Sequence, residues 1–255
     1  MSFTDILNDS KPVNYHEQGL ECSWDEFSKV IASRRSIRLY GDTPVPEVVI
    51  NNAIDAALIA PTSSNLQQTE FYWVRAPEKK DLLAKACLNQ PAAKTARELV
   101  VIVARTNTWQ RNCREVIKQL KASGAPKSAL TYYEKLVPLA YRNGPFGIFG
   151  LIKRVVFAVK GFTGPTPREP KSFSDMRVWA HKSAALASEN FMLSIRAQGF
   201  DTCPMEGFDS RRVKKLLGLR RGAEVCMVVS VGKRAPGGVY GPRTRLPREW
   251  FVFQV

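Results

Sequence analysis

Leu99-Val100-Val101-Ile102-Val103-Ala104 is six apolar residues in a row. A run this short and continuous reads as a strand buried on both faces. A second such run, Val225 to Gly232, lies far downstream. Glu70 to Arg75, rich in Phe, Tyr, Trp and Val, reads as a third strand. Helical periods rather than tight hairpins separate the three. The strongest is Asp175 to Gln198, where Ala180, Ala184, Ala187, Phe191 and Ile195 form one face and Gly199 supplies the stop. Others are Trp24 to Ala32, Val48 to Ala60, Asp81 to Cys87, Gln110 to Ala122, Ser128 to Leu139, Ile148 to Phe162 and Arg211 to Leu217. Few strands among many helices imply an α+β architecture, with helices covering a small sheet. The chain has no internal repeat and no clean linker, so residues 1–255 read as a single domain, the first twenty as a polar arm.

With 44% apolar residues the chain can bury a real core. Its 38 basic residues against 23 acidic give a net charge of +15, which favours anionic partners. Between Arg105 and Ser174 there are 13 basic residues and 3 acidic, so this excursion carries +10 of that total. The five cysteines are scattered and odd in number, and His16 and His181 are the only histidines. No metal-ligand spacing results, so no metal site is expected. No secretory signal and no bilayer-length apolar stretch is visible, and a reducing cytoplasm fits best.

Arg34-Arg35-Ser36-Ile37-Arg38 places three guanidiniums and a hydroxyl within five residues at a helix end. Arginine forks match phosphate oxygens in pairs, so the cluster asks for a bound anion. Two cations at a helix end could serve only the helix dipole; three flanking a serine exceed that need. Arg243-Thr244-Arg245 lies near the other end of the chain. In an extended segment residues i and i+2 share a side, so both guanidiniums can reach one phosphate. An Arg-rich solvated tail is the competing reading. Two further islands are Ala60-Pro61-Thr62-Ser63-Ser64-Asn65-Leu66-Gln67, a polar loop with turn chemistry, and Gly199-Phe200-Asp201-Thr202-Cys203-Pro204-Met205-Glu206-Gly207-Phe208, which follows the long helix; the C-terminal arginines belong to a fourth, Gly241-Pro242-Arg243-Thr244-Arg245-Leu246-Pro247.

In this order and spacing the four islands resemble the FMN-dependent nitroreductase family, from about Trp24 to the C-terminus and least in the excursion 105–174. The resemblance implies a mostly antiparallel central sheet covered by helices, in an interlocked homodimer. It implies that Arg34, Arg35 and Ser36 bind the FMN phosphate, with Arg243 and Arg245 closing on it; the family often has histidine at the position of Arg35. Arg38 would lie nearer the pyrimidine edge, where a fixed cation steadies charge on the reduced ring. Pro61, Thr62, Ser63 and Asn65 would face the flavin of the other subunit. Pro204, Met205, Glu206 and Gly207 would pack along the ring, the backbone N–H of Glu206 or Gly207 reaching N5. The family also places an amide side chain at the pyrimidine edge; Asn89 and Gln90 are both candidates, and for either a structural cap is the other reading.

The implied activity is that of an FMN oxidoreductase working in two half-reactions. NAD(P)H reduces the flavin, and a nitroaromatic, quinone or enone then takes the electrons. No dedicated acid or base is visible; Cys203 reads as a buried structural thiol, and His181 has no assigned role. Gly237-Gly238 lacks the strand–turn–helix context of a dinucleotide fingerprint. An alternative of a different class is a basic non-enzymatic binder of nucleic acid or an acidic membrane surface. It has the charge but no nucleic-acid reader motif, so no nucleic acid is expected. Ile148 to Phe162 has apolar residues at helical spacing among Lys153, Arg154 and Lys160. It reads either as a peripheral membrane-surface helix or as a cover over the site that also makes the dimer. The second is preferred because apolar helical faces usually pack into a core.

Overall fold

A computed structural model of the chain describes residues 16–255. Of the polar arm expected over the first twenty residues, 1–15 lie outside the described part. Helix α1 (Trp24–Ser33) starts at Ser23, whose side chain accepts from the Glu26 N–H. Helix α2 (Glu47–Leu58) follows Pro46 and buries Val49, Ile50, Ala53 and Ala57, while Val48 is exposed. Strand β1 (Thr69–Val74) leads to α3 (Pro77–Ala86), which begins four residues earlier than expected because Pro77 opens it, as proline suits a first helical turn. Next come the one-turn α4 (Pro91–Lys94) and strand β2 (Glu98–Arg105).

The excursion is largely helical. It holds α5 (Trp109–Ala122), α6 (Lys127–Thr131), a π-helical turn over Tyr132–Leu136, α7 (Val137–Tyr141) and α8 (Ile148–Lys160). The long α9 (Phe173–Ala197) follows, capped by the Ser172 hydroxyl on the Asp175 N–H and terminated by Gly199 at φ 81°. Strand β3 (Asp201–Met205), α10 (Ser210–Leu216) and β4 (Ala223–Gly232) complete the framework.

The four strands form one antiparallel sheet in the order β1-β2-β4-β3. Strand β2 lies inside it and is buried on both faces, as its continuous apolar run implies. Because side chains alternate across a strand, Val100, Ile102 and Ala104 enter a core with α2 and α9. Leu99, Val101 and Val103 enter a second core with α3 and α10. The expected face of α9, Ala180, Ala184, Ala187, Phe191 and Ile195, is buried in the first core. Sequence reading missed β3. It holds Pro204 and the polar Asp201 and Thr202, and it pairs with only one full strand. Its outer side is closed by a single parallel bridge, Ser36 to Thr202.

Helix α8 is turned about in this protomer. Its apolar residues face outward, and its buried residues are Gly150 and Lys153. The helical period is present, but within this chain it does not mark a core face.

Candidate functional site

After α1 the chain runs extended and is stitched into the framework. Ile37, fully buried, donates its N–H to the Thr202 carbonyl at 3.0 Å, and the Arg38 N–H donates to the Gly238 carbonyl at 2.7 Å. Tyr40 ends the stitch: its hydroxyl meets the Ser230 carbonyl and hydroxyl at 3.1 and 2.9 Å. The tail beyond β4 returns to the same place. Arg35 Nη2 donates to the Gly241 carbonyl at 2.6 Å, and Arg243 Nη2 to the carbonyls of Ala32 and Arg34 at 2.8 and 2.7 Å. Arg34, Arg35, Ser36, Arg38, Arg243 and Arg245 thus line one cleft of about 310 Å³, although some 200 residues separate the two segments.

Five guanidiniums around one cleft repel one another. Arg243 has its pKa lowered, by desolvation first and then by Arg245, Arg35 and Arg34. The carboxylate within reach is Glu189, half-exposed and 3.6 Å from Arg34 Nε. Such a surplus in a concave site is relieved by a bound anion, and paired forks with a serine hydroxyl suit phosphate oxygens. The donor set therefore fits the phosphate of FMN.

Asp201, which sequence reading did not single out, holds this region together. Only 1% exposed, it accepts from Arg196 Nη1 at 2.7 Å and from Arg234 Nε at 2.9 Å, and Arg234 also donates to the Ser33 carbonyl. Burial alone would raise its pKa; the hydrogen bonds and charges of Arg234 and Arg196 prevail and lower it. One buried carboxylate thereby joins β3, the end of α9, the end of α1 and the returning tail.

The third island runs through β3 and past its end. Glu206 and Gly207 are exposed. Gln90 Nε2 donates to the Gly207 carbonyl at 2.8 Å, and Asp209 donates its N–H to the Ala86 carbonyl at 2.8 Å. A Cβ on Gly207 would come within 3.3 Å of Gln90 Nε2. Among the described residues the Gly207 N–H donates to no backbone carbonyl. Asn89 is separated from Gln90: held at φ 53°, it lines a different cleft with Lys80, Lys85 and Leu99. Cys203 is fully buried, and burial raises its pKa. His181 has its pKa lowered, mainly by burial, against the opposing charge of Glu224.

The second island occupies another cleft, of about 500 Å³, lined by Pro61, Thr62 and Ser63 with Trp179 and Lys182. Its backbone is unusual: Ser64, Asn65 and Gln67 all have φ near +50°. Three tyrosines of the excursion hold it there. Ser64 Oγ meets the hydroxyls of Tyr132 and Tyr141 at 2.7 and 3.0 Å; the Tyr133 hydroxyl donates to the Ser64 carbonyl at 3.1 Å. Ser63 Oγ meets Tyr141 at 2.9 Å, and Asn112 donates to the Leu66 carbonyl at 2.6 Å. Sequence reading missed these tyrosines; the Tyr132-Tyr133 pair in a basic stretch was the available sign. The chain thus brings the first, third and fourth islands onto the β3–tail region and sets the second apart. Among the described residues no group of His, Cys, Asp and Glu could hold a metal ion.

Residues 31–233 match the model of a known family, described as the nitroreductase family. An NADH dehydrogenase of Thermus thermophilus is 29% identical over 86% of this chain and 91% of its own length. A crystal structure from Bacillus subtilis superposes with a TM-score of 0.72 at 23% identity, over 91% of this chain and all of the other. A structure from Exiguobacterium sibiricum, solved in complex with FMN, superposes with a TM-score of 0.68 at 22% identity, over 90% and 97%.

Proposed function

The chain belongs to the nitroreductase family, and we propose that it is an FMN-dependent oxidoreductase drawing electrons from NAD(P)H. The acceptor class is nitroaromatic, quinone or enone, reduced at the site that NAD(P)H has vacated. The observation carrying this reading is the meeting of Arg34, Ser36 and Arg38 with Arg243 and Arg245 in one cleft. When bound, FMN supplies the hydride and electron transfer chemistry.

The chain's own residues bind and tune. Arg34, Arg35, Ser36, Arg243 and Arg245 hold the phosphate. Arg38 sets a positive potential where negative charge gathers on reduction. Pro204, Met205, Glu206 and Gly207 run along the ring, and the N–H of Gly207 or Glu206 is the donor offered to N5. Gln90, bonded to the Gly207 carbonyl, lies beside this segment and is the better placed of the two amide candidates. Asn89 faces elsewhere.

The whole chain acts as one domain within a homodimer. Pro61, Thr62, Ser63 and Asn65 serve the site of a second copy, which accounts for their separation from the arginine cleft. The exposed Trp24, Phe27 and Ile31 of α1 and Trp250, Phe251 and Phe253 of the tail suit burial against that copy. The described cysteines are all free, in keeping with a reducing cytoplasm.

The test is the absorption spectrum of the purified protein, followed by anaerobic stopped-flow mixing with NADH and with NADPH. The reading requires bound flavin that at least one nicotinamide bleaches. A colourless protein that takes up no FMN, or a bound flavin that neither donor reduces, would overturn it.

A further inference from the structure

Helix α8 is amphipathic in an inverted sense. Gly150 and Lys153 are buried, and Phe157, on the same side at 100° per residue, is half-buried. This side fastens the helix to the body through backbone carbonyls. A Cβ on Gly150 would lie 2.2 Å from the Lys171 carbonyl oxygen. Lys153 Nζ donates to the carbonyls of Ala140 at 2.8 Å and Pro170 at 2.9 Å. Its pKa is lowered by burial, against the opposing charge of Asp175.

The opposite face carries Ile148, Leu151, Ile152, Val155 and Val159, continued by Phe162. Each is more than half exposed. Phe146 and Phe162, at the two ends, are 99% and 89% exposed. Among the described residues nothing covers this stripe. Arg154 and Lys160 stand exposed at its two margins, within the stretch that holds 13 basic residues against 3 acidic.

We propose that this face lies on the surface of an anionic lipid bilayer. An aliphatic stripe rimmed by cations suits the boundary between headgroups and acyl chains, where apolar burial and attraction to acidic lipid add. The 13-residue helix is about 20 Å long, too short to span, and none of the described helices is long and apolar enough to cross a membrane. A second copy centred on this helix is disfavoured by charge, because a contact on the two-fold axis would set the same basic stretch against itself; a contact away from the axis is the outcome that the size-exclusion arm of the experiment detects. Nucleic acid is disfavoured because the body of the stripe is aliphatic, with Phe146 and Phe162 only at its ends, where base stacking along a strand needs successive aromatic faces. The proposal stands apart from the electron-transfer reading and survives if that reading fails.

The experiment is flotation of the full-length protein with phosphatidylcholine vesicles, with and without phosphatidylglycerol. Binding is expected only with phosphatidylglycerol and should weaken as salt rises. Leu151→Asp with Val155→Asp should weaken it at least tenfold or so, with the melting temperature and turnover of a water-soluble acceptor kept. Arg154→Glu with Lys160→Glu should weaken it without touching the stripe. The proposal fails if the wild type does not float with phosphatidylglycerol, or if both double variants float as well as it does. It fails too if the stripe variant changes only the oligomeric state on size exclusion, which would mark a protein interface instead.

Discussion

The arginine cleft and helix α8 are both basic, yet they are built in opposite senses. In the cleft five arginines and a serine line a concavity. On α8 two cations flank a convex aliphatic stripe, while the third, Lys153, is turned inward onto carbonyls. The first arrangement suits a small, compact anion held by several forks at once. The second suits an extended anionic surface that also accepts hydrocarbon. A net charge of +15 does not distinguish the two; concavity and the neighbours of each cation do.

Breaking the concave region at its root should have the largest effect. Asp201→Ala leaves Arg196 and Arg234 facing an emptied buried position and should cost about 3–5 kcal/mol of stability, read as a loss of melting temperature. The wild type should also lose stability in acid. Because the folded pKa of Asp201 lies below its ordinary 3.8, the contribution is complete above that value and fades as pH falls through the folded pKa. Asp201→Asn should flatten this acid limb. Next in size, Arg34→Ala or Arg243→Ala should each weaken FMN binding about 10- to 100-fold, measured by quenching of flavin fluorescence, and leave vesicle flotation unchanged.

Smaller effects separate the inner from the outer surface of the excursion. Ser64→Ala removes the hydroxyl shared by Tyr132 and Tyr141 and should cost about 1–2 kcal/mol, seen in denaturant titration. Leu151→Asp, on the outer stripe, should change stability by less than about 0.5 kcal/mol in the same titration. A large loss at Leu151 would mean that the stripe is covered by protein, and the contrast between the two regions would collapse.

What the sequence revealed follows the same division. Strands β2 and β4 were legible from short apolar runs that are largely buried, and β1 from its aromatic and β-branched residues although it is only half-buried. Strand β3 was not, since Asp201 and Pro204 argue against a strand until Arg196 and Arg234 neutralise the first and the edge position tolerates the second. The residue types of the anion cleft were legible at each end of the chain. Their meeting depends on hydrogen bonds such as Arg243 to the Ala32 carbonyl, which no local pattern encodes. The period of α8 gave a helix correctly, but a period says only that one side is apolar, not which way it faces. Nor could spacing choose between Asn89 and Gln90; a positive φ at Asn89 turns the two apart.

The central claim is that the arginine cleft holds the phosphate of FMN, and riboflavin, the same ring without that phosphate, tests it most directly. Affinities of the purified apoprotein for FMN and riboflavin should differ by about 100-fold or more, and Arg34→Ala with Arg243→Ala should close most of that gap by weakening FMN alone. Equal affinity of the wild type for both flavins, or a double variant that keeps its preference for FMN, would contradict the account.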